Sequence, residues 1–145
     1  MIVILAYVRL IVNPSDGIIF DRIVNFPVRG IGKTTLEKIH KLSNDNDYTY
    51  LRVLGELDML SIGKKQKEAR HKFNQLSQKY RMAYKDQGAS FITRGLIADI
   101  DLQNYYENQN TQEALDRWGN VQELLNSITV FQDNRDENSL SEFLE

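Results

Sequence analysis

The sequence predicts an all-α fold, a compact domain of several helices, from three observations. Apolar residues recur at steps of three and four along most of the 145 residues, which is the period of helices packed on a core. No segment keeps the strict alternation of apolar and polar residues that is typical of a half-buried strand. Only two prolines interrupt the chain, and its length suffices for one domain with its own core. We therefore expect a single domain over residues 1–145.

Helix-ending and helix-capping residues set the bounds of the predicted helices. The Asn-Pro pair at 13–14 ends the first helix, because the residue before a proline is biased away from the helical conformation. Ser15 or Asp16 caps the second helix, which extends to about Phe26. The polar stretch 44–47 reads as a loop. The predicted ranges are 2–12, 15–26, 33–43, 48–57, 64–86, 89–99, 102–108 and a helix from 111 onwards.

The second half of the chain contains the longest predicted helix, which Gly88 ends. The helix from 111 contains Gly119, which costs about 1 kcal/mol relative to alanine and is tolerated or marks a bend. Residues 133–138 are expected to form a polar, mobile linker before a last helix within 139–145. The apolar side chains expected to face the core are Leu36, Ile39, Leu42, Tyr50, Leu51, Leu54, Leu57, Ala69, Phe73, Leu76, Tyr80, Ala83, Phe91, Leu96, Ile97, Leu115, Trp118, Val121, Leu125 and Ile128.

The composition argues against several kinds of site. The chain has no cysteine, so it forms neither disulfides nor thiolate metal sites. His40 and His71 have no ligand partner three or four residues on, and we expect surface helix residues rather than metal ligands. The apolar run 2–12 is too short to span a bilayer, which takes about 20 residues, and lacks the features of a signal peptide. A cytoplasmic protein without a membrane partner is expected.

The charges are distributed unevenly along the chain. Residues 1–100 carry 16 Lys/Arg and 10 Asp/Glu, whereas residues 101–145 carry 2 and 10. Such asymmetry indicates a polyanionic partner for the basic part or, more simply, two solvated faces of one helical domain. The basic residues cluster where glycine turns meet helix starts, which favours the first interpretation.

The GKTT at 32–35 matches the end of the Walker A nucleotide-binding signature. That signature also requires a glycine five residues before Gly32, and this position is Pro27, which has no N–H to offer a phosphate. The segment before it should be a buried strand, but the apolar residues of 20–26 have helical spacing. We therefore do not interpret the motif as an ATP site.

The same residues are similar to the helix-hairpin-helix motif, a DNA-binding element. A helix ends near Phe26, a Gly-Ile-Gly turn follows at 30–32, and a second helix begins near Lys33. Glycines allow close approach to a phosphate and positive φ, while the helix N-terminus offers unpaired N–H groups and a positive dipole end. Thr34 and Thr35 add hydroxyl donors, and the isoleucine is expected to point inward and anchor the turn. The alternative is a plain helical turn.

A second basic segment strengthens the DNA-binding interpretation. Residues 61–72 read SIGKKQKEARHK, and the segment 61–85 carries eight Lys/Arg and one Glu. Lysines at a helix N-terminus oppose the macrodipole, and a polyanion would reverse that penalty; the alternative is a solvated basic face. The predicted DNA-binding residues are Arg29, Gly30, Ile31, Gly32, Lys33, Thr34, Thr35, Lys64, Lys65 and Lys67.

Residues 5–39 (LAYVRLIVNPSDGIIFDRIVNFPVRGIGKTTLEKI) resemble the start of the 2B subdomain of UvrD/PcrA/Rep-type superfamily 1 DNA helicases. The segment RWGNVQELLNSITVF at 117–131 and the final LSEFLE resemble later parts of that subdomain. The usual helix-hairpin-helix motif has its proline directly before the first glycine, whereas here Val28-Arg29 intervene. The abrupt ends of the chain lead us to expect a fragment of a larger protein.

The resemblance implies an all-α insertion in the second motor domain of an ATP-dependent 3′→5′ helicase. In that family the glycine turn contacts duplex DNA ahead of the junction, and the subdomain swings as a rigid body. The expected partners are duplex DNA at a single-strand/double-strand junction, the rest of the motor, and repair or replication proteins. ATP and Mg²⁺ belong to the parent helicase. Because the motor motifs are absent, we expect no cofactor and no catalytic residue in this fragment.

Two other classes of function stay open. A small nucleotide-dependent enzyme would use the GKTT sequence, against the Pro27 argument. A protein-interaction module without DNA affinity would use the acidic part, 101–145, with Tyr105, Tyr106 and Trp118, although these aromatic residues are typical of a core.

Overall fold

Helices make up most of the chain in a computed structural model, which describes residues 3–26, 29–56 and 64–133. No strand occurs in these ranges, and the predicted all-α class is confirmed. The helices are α1 (Val3–Val12), α2 (Gly17–Ile23), α3 (Lys33–Asn46), α4 (Tyr50–Glu56), α5 (Lys64–Ala83), α6 (Ala89–Asp99), α7 (Leu102–Glu107) and α8 (Gln112–Asp133). None of these helices is both long and apolar enough to cross a membrane.

Helix α1 supplies much of the core. It is apolar on most of its circumference, as expected for a helix surrounded by others, and it packs against α2, α5 and α6. Its buried residues are Ile4, Ala6, Tyr7, Val8, Leu10 and Ile11. The long helix α5 contributes Phe73 and Tyr80, which are 1% and 2% exposed.

Tyr80 fits between α5 and α6 because residue 95 is glycine. A Cβ atom at Gly95 would overlap the Tyr80 ring and hydroxyl. The hydroxyl donates a hydrogen bond to Asp99 Oδ2 at 2.6 Å. Burial, together with this hydrogen bond and the negative charge of Asp99, raises the pKa of Tyr80 above its usual value. The α5–α6 contact therefore includes a neutral tyrosine beside a carboxylate.

Several predicted helix bounds hold and others are wrong. Asp16 caps α2 as expected, its Oδ1 accepting from Ile19 N–H at 3.1 Å. The predicted loop 44–47 is instead the last turn of α3, and only Asp47 leaves the helix, with φ 54°. Aspartate tolerates this left-handed conformation and so ends the helix as a glycine would.

The turns around α2 and α5 also differ from the prediction. Helix α2 ends at Ile23 rather than near Phe26. Helix α5 ends at Ala83, and Gly88 is the N-cap of α6 rather than the end of α5. The cause at α5 is a closed turn, in which the N–H groups of residues 86 and 87 both bond the Ala83 carbonyl.

Three side chains predicted to be internal are exposed: Leu42, Phe91 and Leu115 are 37%, 53% and 48% exposed. In α8 the fully buried positions are Ala114, Val121 and Ile128. These residues repeat every seven positions, which gives a narrow seam rather than a broad apolar face. Gly119 lies within α8, which continues through it. Leu57, the linker residues 134–138 and the predicted helix within 139–145 lie outside the described residues.

Candidate nucleic-acid interface

The glycine turn between α2 and α3 is fixed by the side chain of Asn25. The Oδ1 atom of Asn25 accepts a hydrogen bond from Ile31 N–H at 2.9 Å, and its Nδ2 donates to the Ile31 carbonyl. Ile31 is 3% exposed and packs into the core, as the sequence predicts. The Asn25 amide thus satisfies both backbone groups of the anchoring residue, which holds the turn in one conformation.

The two glycines of the turn have different conformations. Gly30 has φ 71°, a left-handed conformation that glycine adopts without steric cost. Gly32 has φ −82° and ψ 177°, which other residues also adopt. The expectation of positive φ is therefore confirmed at Gly30 and wrong at Gly32. A Cβ atom at Gly32 would meet no atom of the described residues within 4 Å, so this glycine keeps the outer surface of the turn open.

Helix α3 presents an uncapped N-terminus at the surface. Gly32 is its N-cap and supplies no side-chain hydrogen bond, and its first turn contains no acidic residue. The first intrahelical bond runs from Leu36 N–H to the Gly32 carbonyl at 3.0 Å. The N–H groups of Lys33, Thr34 and Thr35 therefore have no partner within the helix. Lys33 and Thr34 are exposed and Thr35 is partly exposed, so an anion can reach this end of the helix.

Arg29 lies beneath the turn rather than on its surface. It is 8% exposed. Its Nη1 donates to the carbonyls of Ile23 and Val24 at 2.9 Å and of Phe26 at 3.2 Å. These carbonyls close the C-terminal end of α2, where a cation is favourable. These donors of Arg29 are thus engaged at the end of α2, and the direct phosphate contact predicted for Arg29 stays a prediction.

Two aromatic side chains complete the Arg29 site. Its Nη2 donates to the Tyr7 hydroxyl at 2.8 Å, and that hydroxyl donates to the Phe26 carbonyl. The guanidinium carbon lies 4.3 Å from the centre of the Phe73 ring, within cation–π range. Burial raises the pKa of Tyr7, while the charge of Arg29 lowers it by less. The Tyr7 hydroxyl is therefore protonated and donates its hydrogen bond to the Phe26 carbonyl.

A further contact links α2 to α3. His40 Nε2 lies 2.9 Å from Asp21 Oδ2, and the His40 ring meets the Tyr50 ring edge to face at 5.0 Å. His71 is exposed on α5, as expected for a surface helix residue. His40 is instead partly buried in an interhelical contact that the sequence did not predict.

The second basic segment begins α5 as predicted, because the helix starts at Lys64. The side chains of residues 64–67 lie outside the described residues, so the contacts of Lys64, Lys65 and Lys67 stay predictions. The three aromatic residues of the acidic part differ from one another in burial. Tyr106 is 4% exposed and Trp118 is partly buried against the core. Tyr105 is 39% exposed and its ring lies 4.6 Å from that of Phe26.

Comparison with known proteins decides the family. The family model of the UvrD-like helicase C-terminal domain matches residues 2–145. The chain belongs to this family. The resemblance noted at 5–39 and 117–131 is thereby confirmed at the level of the UvrD-like domain.

Curated relatives of this UvrD-like domain are DNA helicases. The ATP-dependent DNA helicase PcrA of Bacillus subtilis (strain 168) is 29% identical over 141 residues. PcrA of Staphylococcus aureus (strain Mu50 / ATCC 700699) is 31% identical over 148 residues, and DNA helicase II of Salmonella typhimurium is 30% identical over 137 residues. The alignments cover 97%, 97% and 94% of this chain but 19%, 20% and 19% of the relatives. The chain therefore spans about a fifth of their length.

Sequence reasoning missed two residues that shape the turn of this UvrD-like domain. The Asn25 side chain bonds the backbone of Ile31, and the Tyr7 hydroxyl bonds the Phe26 carbonyl before the turn. Asn25 lies in the segment that follows α2. Asparagine is common in turns of many kinds, so its presence there did not predict this particular contact. Tyr7 lies 22 residues before Arg29, and only the folded chain brings the two together.

Proposed function

We propose that this chain is the accessory, duplex-DNA-contacting and regulatory subdomain of an ATP-dependent 3′→5′ DNA helicase, equivalent to the 2B subdomain. The turn of residues 30–35 binds phosphates of duplex DNA without sequence preference. The main support is the exposed, acid-free N-terminus of α3, held by the buried side chains of Ile31 and Arg29. Backbone N–H groups and a lysine at such a terminus bind phosphate oxygens and carry no base information.

The rigidity of the turn matters for this role. An interface that is already ordered loses little conformational freedom when it binds. Here the Asn25 amide bonds the backbone of Ile31, and the Arg29 guanidinium bonds carbonyls at the end of α2. The outer surface, at Gly32 and Lys33, is thereby left available to a ligand.

The remaining parts of the helicase reaction belong to the longer protein in this proposal. The GKTT of this chain lacks the first glycine of a Walker A loop. The proposal therefore assigns the binding of ATP and Mg²⁺ to the motor. The chain alone is therefore neither an ATPase nor a helicase. Its partners are the motor, the duplex at a single-strand/double-strand junction, and repair or replication proteins in the cytoplasm. Regulation follows if the subdomain engages the duplex in one arrangement of the helicase and releases it in another.

The salt dependence of DNA binding tests this proposal through Lys33. Non-specific binding is expected, with a dissociation constant on the order of 10⁻⁴ to 10⁻⁶ M at physiological salt. Replacing Lys33 by alanine removes one phosphate contact and is expected to flatten the log–log salt slope by about 0.9 for duplex DNA. Fluorescence anisotropy with a labelled duplex across a salt series measures this slope.

Lys41→Ala is the matched control, because Lys41 is exposed on the same helix two turns further on. It should leave the slope unchanged. Equal slopes for Lys33→Ala and the original chain would contradict the phosphate contact. No duplex binding at low salt, with retained affinity for a protein partner, would instead favour an interaction module.

A further inference from the structure

An open groove of about 510 Å³ lies along α5 and includes Arg29, the residue before the glycine turn, in its lining. The guanidinium of this lining residue lies over the Phe73 ring, which also lines the groove. The groove extends from there along α5 to the end of α6. Its lining residues are Arg29, Ala69, Lys72, Phe73, Gln75, Leu76, Lys79, Asp99 and Ile100.

The charges of the groove suit an extended polyanion. Lys72 and Lys79 are exposed and stand seven residues apart on α5, which places them about 10.5 Å apart along the helix axis. This separation matches the axial length of about three nucleotides on one strand of duplex DNA, at 3.4 Å each. The buried Arg29 adds a third positive charge to the lining. Asp99 is the one carboxylate among the described lining residues.

Asp99 holds one of the two lysines. Its Oδ2 accepts a hydrogen bond from Lys79 Nζ at 3.1 Å and one from the Tyr80 hydroxyl at 2.6 Å. The Lys79 side chain is 61% exposed and that of Asp99 is 35% exposed. Exposed ion pairs of this kind are weak. A phosphate can therefore replace Asp99 as the partner of Lys79 while Tyr80 keeps the carboxylate in place.

We propose that this groove is a second phosphodiester-binding site beside the glycine-turn segment, in which Lys72 and Lys79 contact phosphates. Asp99 competes with DNA for Lys79 and so weakens binding. The inference rests on the proposed DNA-binding function. It adds Lys72 and Lys79, which lie further along the chain than any DNA-binding residue predicted from the sequence. The grounds are the complementary charge of the groove, the spacing of its two lysines along α5, and the presence in its lining of Arg29, the residue before the turn.

Two kinds of variant test the groove in the duplex-binding assay. Lys72→Ala and Lys79→Ala should each flatten the salt slope by about 0.9, whereas Lys85→Ala, an exposed lysine beyond the end of α5, should leave it unchanged. Asp99→Asn keeps an oxygen acceptor for Tyr80 but removes the charge. It should tighten binding about two- to fivefold at low salt, the range expected for releasing an exposed ion pair.

The decisive comparison is Asp99→Asn in the Lys79→Ala background. If Asp99 acts by holding Lys79, the gain should shrink when Lys79 is absent, as in a double-mutant cycle of contacting residues. The groove proposal would be overturned if Asp99→Asn raised the affinity equally in both backgrounds. It would also be overturned if Lys72→Ala and Lys79→Ala left the salt slope unchanged. If only Lys33→Ala flattens the slope, the glycine turn contacts DNA and the groove does not. If the unmodified chain does not bind duplex DNA, the proposals for the turn and for the groove are both wrong.

Discussion

Replacing Arg29 by methionine is expected to lower the free energy of unfolding by on the order of 3 kcal/mol, because the change removes the charge-assisted hydrogen bonds of a buried guanidinium. The guanidinium bonds three carbonyls at the end of α2 as well as the Tyr7 hydroxyl. Methionine is apolar, shorter than arginine, and donates no hydrogen bond. For a chain of this size a loss of 3 kcal/mol corresponds to a fall in melting temperature of roughly 6–12 °C.

Thermal unfolding followed by circular dichroism measures the effect. Arg117→Met is the matched control, since Arg117 is 58% exposed and pairs with Glu113 one helical turn away. Such a pair contributes about 0.3–0.5 kcal/mol, so the control should melt within a degree or two of the original chain. Arg29→Lys should fall between the two, because a lysine has fewer donors and no planar fork. A melting temperature for Arg29→Met close to that of the control would show that Arg29 does not hold the turn.

Replacing Gly32 by valine is expected to weaken duplex binding roughly tenfold while the chain stays folded. An added Cβ meets no described atom within 4 Å, and the conformation of residue 32 is open to valine. The loss of a glycine N-cap costs about 1 kcal/mol at most. The valine methyls would instead keep a phosphate away from the N–H groups of α3, and one charge-assisted hydrogen bond of about 1.5 kcal/mol accounts for a factor of ten.

Gly119→Val is the control for this substitution. Gly119 also has no atom within 4 Å of an added Cβ, and it lies in α8, away from the turn in sequence. Its variant should bind duplex DNA as the original chain does, with both variants checked for folding by their melting temperatures. Unchanged affinity in Gly32→Val would mean that no phosphate approaches this surface.

The sequence predicted those features that depend on neighbouring residues. The Asp16 cap, the start of α3 at Lys33 and the inward side chain of Ile31 follow from spacing and turn chemistry over a few positions. The Gly-Ile-Gly pattern also located the positive φ within the turn, although only at Gly30. Local chemistry is thus sufficient to find the turn and the helix end beside it.

The role of Arg29 could not be predicted because it depends on contacts distant in sequence. A basic residue beside a glycine turn fits a phosphate contact equally well. Its burial follows from Tyr7 and Phe73, which α1 and α5 bring to it from 22 residues before and 44 residues after. The same limit applies to Phe91 and Leu115. Periodicity shows that their helices are amphipathic, but packing against neighbouring helices decides which apolar side chains are covered.

The most direct measurement of the central claim is the location of DNA on the folded chain. The ¹⁵N-labelled 145-residue chain would be titrated with a short duplex at low salt and followed by amide chemical shifts. We expect the largest changes at the amides of residues 30–35, with smaller changes near Lys72 and Lys79 on α5. Largest changes in the acidic helix α8, or no change at 30–35 while binding occurs, would contradict the assignment of the glycine turn as the duplex-binding site.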